Sequence, residues 1–195
     1  MALELLGIHH LTAVSAQIRD NHRFYTQALG MRLVKKTVNQ DVPDTYHLFY
    51  ADADGNPGTD LTFFPWADSP PVQDGIGLAM EVSLAIPSAS VPYWRARLTD
   101  FGVAIEAESV RHAERTLAIR DPFGQPLALV ATDDARTFAA WDRSPVPAEH
   151  QIRGLQSVRL WERDLALTEE FLVNVLGFRA MGVEDGWHRY GVGDG

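Results

Sequence analysis

Gly7-Ile8-His9-His10-Leu11-Thr12-Ala13-Val14 reads as a β-strand that runs directly into an amphipathic helix. In a regular strand Ile8, His10, Thr12 and Val14 share one face and His9, Leu11 and Ala13 the other, so the two histidines are expected on opposite sides. The helix is expected from Asp20, read as its N-cap, with Phe24, Tyr25, Ala28 and Leu29 turned inward and Gly30 as its stop. A histidine on a half-buried strand is ordinarily a structural residue. What lifts His10 above that is the remainder of the chain, which repeats this opening.

After Gly30 come three strands: Met31–Val38, then Thr45–Tyr50 beyond a turn at Asp41-Val42-Pro43-Asp44, then Asp60–Phe64 beyond the loop Asp54-Gly55-Asn56-Pro57-Gly58. Ser69-Pro70-Pro71 closes this unit. A second unit has the same order: strand Met80–Ile86, helix Pro92–Leu98 with Ser90 as cap and Gly102 as terminator, then strands around Val103–Ile105, Thr116–Ile119 and Leu127–Val130. Asp121-Pro122-Phe123-Gly124 is the tight turn before the last of these. A third begins at Gln156–Trp161, continues with a helix through Phe171, Leu172, Val175 and Leu176 to Gly177, and adds strands Phe178–Met181 and Trp187–Tyr190. The chain therefore divides into a first βαβββ unit (1–68), a second (76–132), a linker (133–152) and an incomplete third unit (153–195). Repetition at roughly 70 residues is a stronger fold signal than any single element. The fold class it implies is α+β, tandem βαβββ units forming curved mixed sheets with the helices on the convex side, the third unit cut off.

The 195 residues are 46% hydrophobic, enough for one or two ordinary cores. A formal charge of −9 argues against nucleic acid or an anionic membrane as partner. With no cysteine, disulfides, thiolate metal sites and cysteine nucleophiles are excluded. Neither a leader at Met1–Gly7 nor a membrane span is legible, so a cytoplasmic location is expected.

The βαβββ repeat, with His-x-x-x-Val on the first strand and Phe-Tyr…Leu-Gly in the helix, resembles the vicinal oxygen chelate superfamily (glyoxalase, bleomycin resistance and extradiol dioxygenase proteins). More narrowly, Gly7–Thr12, Lys35-Lys36-Thr37-Val38-Asn39-Gln40 and Gly58-Thr59-Asp60-Leu61-Thr62-Phe63-Phe64 resemble its hydroquinone-type ring-cleaving dioxygenases. That branch has four units. The resemblance implies a metal, Fe(II) or Mn(II), held by two histidines and a glutamate, and a small aromatic substrate opened by dioxygen. It places metal ligands on the first and fourth strands of a unit: His10 and Asp60 in the first, Glu81 and Ala128 in the second, Ser157 in the third. His10 matches one ligand of the branch; the other two belong to its fourth unit, so weak or absent activity is expected of this chain.

His10 is accordingly the expected metal ligand, and His9 the expected catalytic residue, handling a proton or hydrogen bond at the cost of a local distortion of the strand. Thr12 shares the face of His10 and either lines the site or fills the core. Asp60 and Glu81 are read first as solvated or capping carboxylates. Tyr46, His47 and Tyr50 lie within reach of the site but read as core; His22 reads as exposed and His188 as structural. Two other functions compete with the dioxygenase: a glyoxalase-like lyase or isomerase with ligands His10, Asp60 and Glu81, and a metal-free, drug-sequestering binding protein. Apolar residues left uncovered on the third unit (Trp161, Phe171, Leu172, Leu176, Trp187) lead to an expected homo-oligomer, or to packing of that unit on the second.

Overall fold

The computed structural model describes residues 5–70 and 73–193. Pro71 of the Ser69-Pro70-Pro71 break, the first four residues and Asp194-Gly195 lie outside the described residues. β1 (His10–Ser15) leads into α1 (Ile18–Arg23), which runs on as one π turn over Phe24–Ala28. The helix starts two residues before the expected Asp20. Gln17 stands at the cap without a side-chain bond, and Asp20 lies in the first turn, where its charge suits the positive end of the helix dipole. Gly30, at φ +72°, turns the chain away from the helix as expected.

β2 (Arg32–Val38), β3 (Tyr46–Ala51) and β4 (Asp60–Pro65) complete a sheet of order β1-β4-β3-β2, with β4 parallel to β1 and the other pairs antiparallel. The period of two sends Leu48, Tyr50, Leu61 and Phe63 toward α1, where all are buried. Tyr25 of the π turn packs on Phe63 at 4.7 Å and stacks on Tyr50 at 5.1 Å. Both phenols keep a partner: Tyr50 donates to Asn21 Oδ1 at 2.9 Å, and Tyr25 to Asp121 Oδ2 at 3.2 Å, across to the second unit. Burial pushes both hydroxyls up from their ordinary pKa, so they remain donors.

The second unit comprises β5 (Ala79–Ile86), a 3-10 turn (Ser88–Ser90), α2 (Val91–Asp100), β6 (Ala107–Arg111), β7 (Glu114–Arg120) and β8 (Pro126–Ala131). The strand expected around Val103–Ile105 lies instead at Ala107–Arg111. The N–H of Val103 still bonds back to Leu98 O at 2.8 Å to close the helix end, so the chain cannot enter the sheet there. Ser90 precedes α2 but does not cap it; its hydroxyl meets His150 Nδ1 at 2.9 Å.

Residues 133–152 run as a strap across both units. The N–H of Ala139 donates to Asp52 Oδ2 at 2.9 Å, Ser144 Oγ to Gly30 O at 2.7 Å, and Val146 is fully buried. Arg97 of α2 adds bonds to Ala28 O at 2.8 Å and Pro145 O at 3.3 Å. β9 (Gly154–Leu160) then pairs antiparallel with β5, giving a five-stranded sheet β6-β7-β8-β5-β9. α3 (Leu165–Glu170) is capped by Asp164, which accepts from Leu167 N at 3.2 Å, and it ends in a π turn (Phe171–Val175) like that of α1. β10 (Arg179–Glu184) and β11 (Trp187–Gly191) form a separate antiparallel hairpin. Of the third unit's apolar residues, Trp161 and Phe171 are exposed, and the unit does pack on the second through β9.

Candidate functional site

The face of the first sheet turned away from α1 gathers the polar residues of its strands. His10 and Thr12 of β1 stand in register with Asp60 and Thr62 of β4, and Thr62 with Phe49 of β3. Both His10 and Thr12 are exposed, and β1 forms the outer edge of its sheet among the described residues. Thr62 is fully buried beneath its neighbours. Its hydroxyl lies 2.8 Å from Thr12 Oγ1 and 2.9 Å from His47 Nε2. The His47 ring sits between Phe49 and Phe64, 4.1 Å from each, and Phe64 stacks on Trp66 at 5.7 Å. Burial, reinforced by the charges of His10 and Lys35, pushes the His47 pKa down, so its imidazole is neutral at neutral pH.

His9 is not on the opposite face. The strand begins only at His10, which frees the His9 ring to fold alongside: the two Nδ1 atoms are 3.1 Å apart and the rings meet edge to face at 5.2 Å. One of these nitrogens carries the proton between them, leaving Nε2 of His10 outside that contact. The His9 backbone is pinned by Gly58, whose N–H donates to His9 O at 2.7 Å. The carbonyl of Gly58 in turn accepts from Leu155 N at 2.7 Å, tying the start of β9 to the edge of the site. That approach requires Gly154: at φ +125°, a side chain there would bring Cβ within 2.6 Å of Gly58 O.

Asp60 owes its place to the loop before it. Asp52 gathers the N–H groups of Asp54, Gly55 and Asn56 on Oδ1 and those of Asn56 Nδ2 and Ala139 on Oδ2, so the chain re-enters the sheet in one register. Burial pushes the Asp60 carboxyl up from its ordinary value, against the pull of His10 and His9.

Glu81 is not part of this cluster. It lies on β5 in the other sheet, where Oε1 is bound by Arg111 at 2.6 Å and approached by Arg159 at 3.8 Å. The Glu81 carboxylate is thus engaged by arginines, not free to serve as the ligand that the lyase alternative requires. The set His10–Asp60–Glu81 is not brought together, and among the described residues no three His, Asp or Glu side chains converge on one point. Tyr46 is exposed with Lys36 3.9 Å above its ring, Tyr50 faces α1, and His22 and His188 are exposed. Thr62, Phe64 and Trp66 were not singled out from sequence, although the alternation that selects Asp60 on β4 selects Thr62 and Phe64 as well.

The family model described as the Glyoxalase/Bleomycin resistance protein/Dioxygenase superfamily matches residues 7–129. The chain belongs to this superfamily. Among its relatives, MhqE of Bacillus subtilis (strain 168), whose name provisionally places it with the ring-cleaving dioxygenases, is 37% identical over 180 residues, covering 92% of this chain and 58% of MhqE. Chlorohydroquinone/hydroquinone 1,2-dioxygenase of Sphingobium indicum is 29% identical over 195 residues, covering 97% of this chain and 60% of the enzyme. A crystal structure from Bacillus subtilis, provisionally described as a dioxygenase, superposes with a TM-score of 0.87 at 34% identity over 98% of this chain and 61% of that one. The chain thus spans about 60% of the length of these superfamily relatives. A glyoxalase family protein from Enterococcus faecalis, at 18% identity and a TM-score of 0.53, shares the fold.

Proposed function

We propose that the chain carries part of a site for metal-dependent ring cleavage of a hydroquinone- or catechol-like aromatic by dioxygen, with His10 as the one ligand of Fe(II) or Mn(II) that matches the resemblance and His9 as the proton-bearing group beside it, so that cleavage by this chain is weak or absent. The observation that carries this reading is the exposed His10, its Nε2 outside the contact with His9, standing in register with Asp60 on the sheet face that also holds His47, Phe49 and Phe64. Imidazole with carboxylate is donor chemistry that both ions accept. The described residues fit that set in part: His10 is the donor that matches it, and Asp60 is a carboxylate in register with His10. When bound, such an ion supplies Lewis acidity to phenolic oxygens and a route for electrons toward dioxygen. His9 Nδ1 holds or receives the proton exchanged with His10 Nδ1, Thr12 offers a hydroxyl two residues along, and the aromatic rings give a planar substrate a surface to lie on. The names of the relatives support the substrate class. A cytoplasmic location and a homo-oligomer belong to the same proposal.

Equilibrium titration with hydroquinone, with and without Mn(II), tests the reading. Tighter hydroquinone binding in the presence of the ion is expected. Binding that is indifferent to the ion would favour the metal-free sequestering protein, and the absence of binding in both arms would refute an aromatic substrate.

A further inference from the structure

A hydrogen-bond chain runs from beneath the aromatic rings to the exposed face beside His10, and its middle member constrains both ends. Thr62 is fully buried, and its hydroxyl contacts two polar groups, His47 Nε2 at 2.9 Å and Thr12 Oγ1 at 2.8 Å. One hydroxyl has one proton, so Thr62 accepts from one side and donates to the other. When His47 carries its proton on Nε2, Thr62 accepts it and donates to Thr12, leaving the Thr12 proton free for a ligand. When His47 carries its proton on Nδ1, the chain reverses and Thr12 offers only lone pairs. His47 is neutral and held between Phe49 and Phe64, so both tautomers are chemically open to it and its ring cannot swing away from Thr62 without breaking that packing.

We propose that His47 and Thr62 are positioning residues: the tautomer of His47, relayed through the Thr62 hydroxyl, sets whether Thr12 donates to or accepts from the phenolic oxygen of a ligand seated beside His10. Of the two directions open to this chain, Thr62 donating to Thr12 assigns Nε2–H to His47 and makes Thr12 a donor, the arrangement that suits a phenolate oxygen. The role of Thr12 toward a phenol rests on the proposed function; the relay between His47 and Thr62 does not.

The test has two arms on the full chain. Long-range proton–nitrogen correlation on protein labelled with nitrogen-15 at histidine reads the His47 tautomer directly. The Nε2–H form is expected in the wild type and in Thr62→Ser, and a mixture of tautomers in the isosteric Thr62→Val. Hydroquinone titration followed by tryptophan fluorescence reads the consequence: affinity about three- to tenfold weaker in Thr62→Val, the range one relayed hydrogen bond covers, with Thr62→Ser near wild type. Backbone amide spectra establish that both variants remain folded. An Nδ1–H form in the wild type would overturn the donor role of Thr12, and an unchanged tautomer or wild-type hydroquinone affinity in Thr62→Val would each overturn the relay. A wild type that shows the Nε2–H form but no response to hydroquinone would refute the aromatic ligand, and with it the role given to Thr12, which separates that failure from a failure of the relay.

Discussion

Asp52→Asn is expected to destabilise the protein by about 3 kcal/mol at neutral pH. Asp52 is 6% exposed, and its carboxylate accepts from Asp54 N (3.1 Å), Gly55 N (2.8 Å) and Asn56 N (3.1 Å) at Oδ1, and from Asn56 Nδ2 (2.7 Å) and Ala139 N (2.9 Å) at Oδ2. Asparagine has the same shape and keeps the three bonds at its oxygen, but it sets an NH2 group against the remaining two donors. A hydrogen bond to a charged group contributes about 1.5–3 kcal/mol, two are lost, and water reaching Ala139 recovers part. For a chain of this size the loss lowers Tm by about 6–12 °C. Burial pushes the Asp52 carboxyl up, but the Asn56 side chain and the backbone N–H groups of Ala139, Asn56 and Asp54 outweigh it and hold the native pKa below its ordinary value. A depressed native pKa gives stability that is fully present above the unfolded value, about 3.9, and is lost as pH falls through the native one. Thermal unfolding followed by circular dichroism should therefore show the full gap between wild type and variant at pH 7 and a narrowing gap below about pH 4. A gap under about 1 kcal/mol at pH 7, or one that does not close in acid, would refute the view that this carboxylate organises the approach to Asp60.

Gly154→Ala should cost about 2–4 kcal/mol, because a side chain at φ +125° is strained and its Cβ would come within 2.6 Å of Gly58 O; denaturant unfolding measures the loss, and a midpoint equal to wild type would contradict the close approach of β9 to the site. The lowered pKa of His47 means that the unfolded chain binds a proton there before the native one does, so stability should decline as pH falls below about 6.5, and His47→Gln should flatten that decline in thermal scans between pH 7 and 5. Leu167, Phe171 and Val175, 64%, 53% and 67% exposed, form an uncovered apolar stripe on α3 and its π turn. Light scattering should show self-association that the double variant Phe171→Ser, Val175→Ser abolishes, and a wild-type monomer at high concentration would contradict it.

The parts of this fold that were legible in the sequence are those written in periods of two and in turn chemistry. Alternation placed Leu61 and Phe63 against α1 and turned Asp60 the other way, and the glycines at 30, 102 and 177 marked the ends of α1, α2 and α3. The adjacency of His9 and His10 was not legible, because it depends on the strand beginning at His10, which the bond from Gly58 N to His9 O holds in place. Nor was the fate of Glu81, whose partner Arg159 reaches it only because β9 pairs with β5 from about 75 residues further along the chain. Thr62 shows the other kind of miss: its face was readable from period two, but its importance comes from a buried hydroxyl bridging two strands, which no local pattern encodes.

We propose that the exposed face of β1 holds a divalent metal through His10. Electron paramagnetic resonance of Mn(II) titrated into the wild type and into His10→Ala tests it most directly, with backbone amide spectra to establish that the variant is folded. A bound-ion signal in the wild type that disappears in His10→Ala at the same ion concentration is expected; an undiminished bound-ion signal in folded His10→Ala would rule His10 out as a ligand.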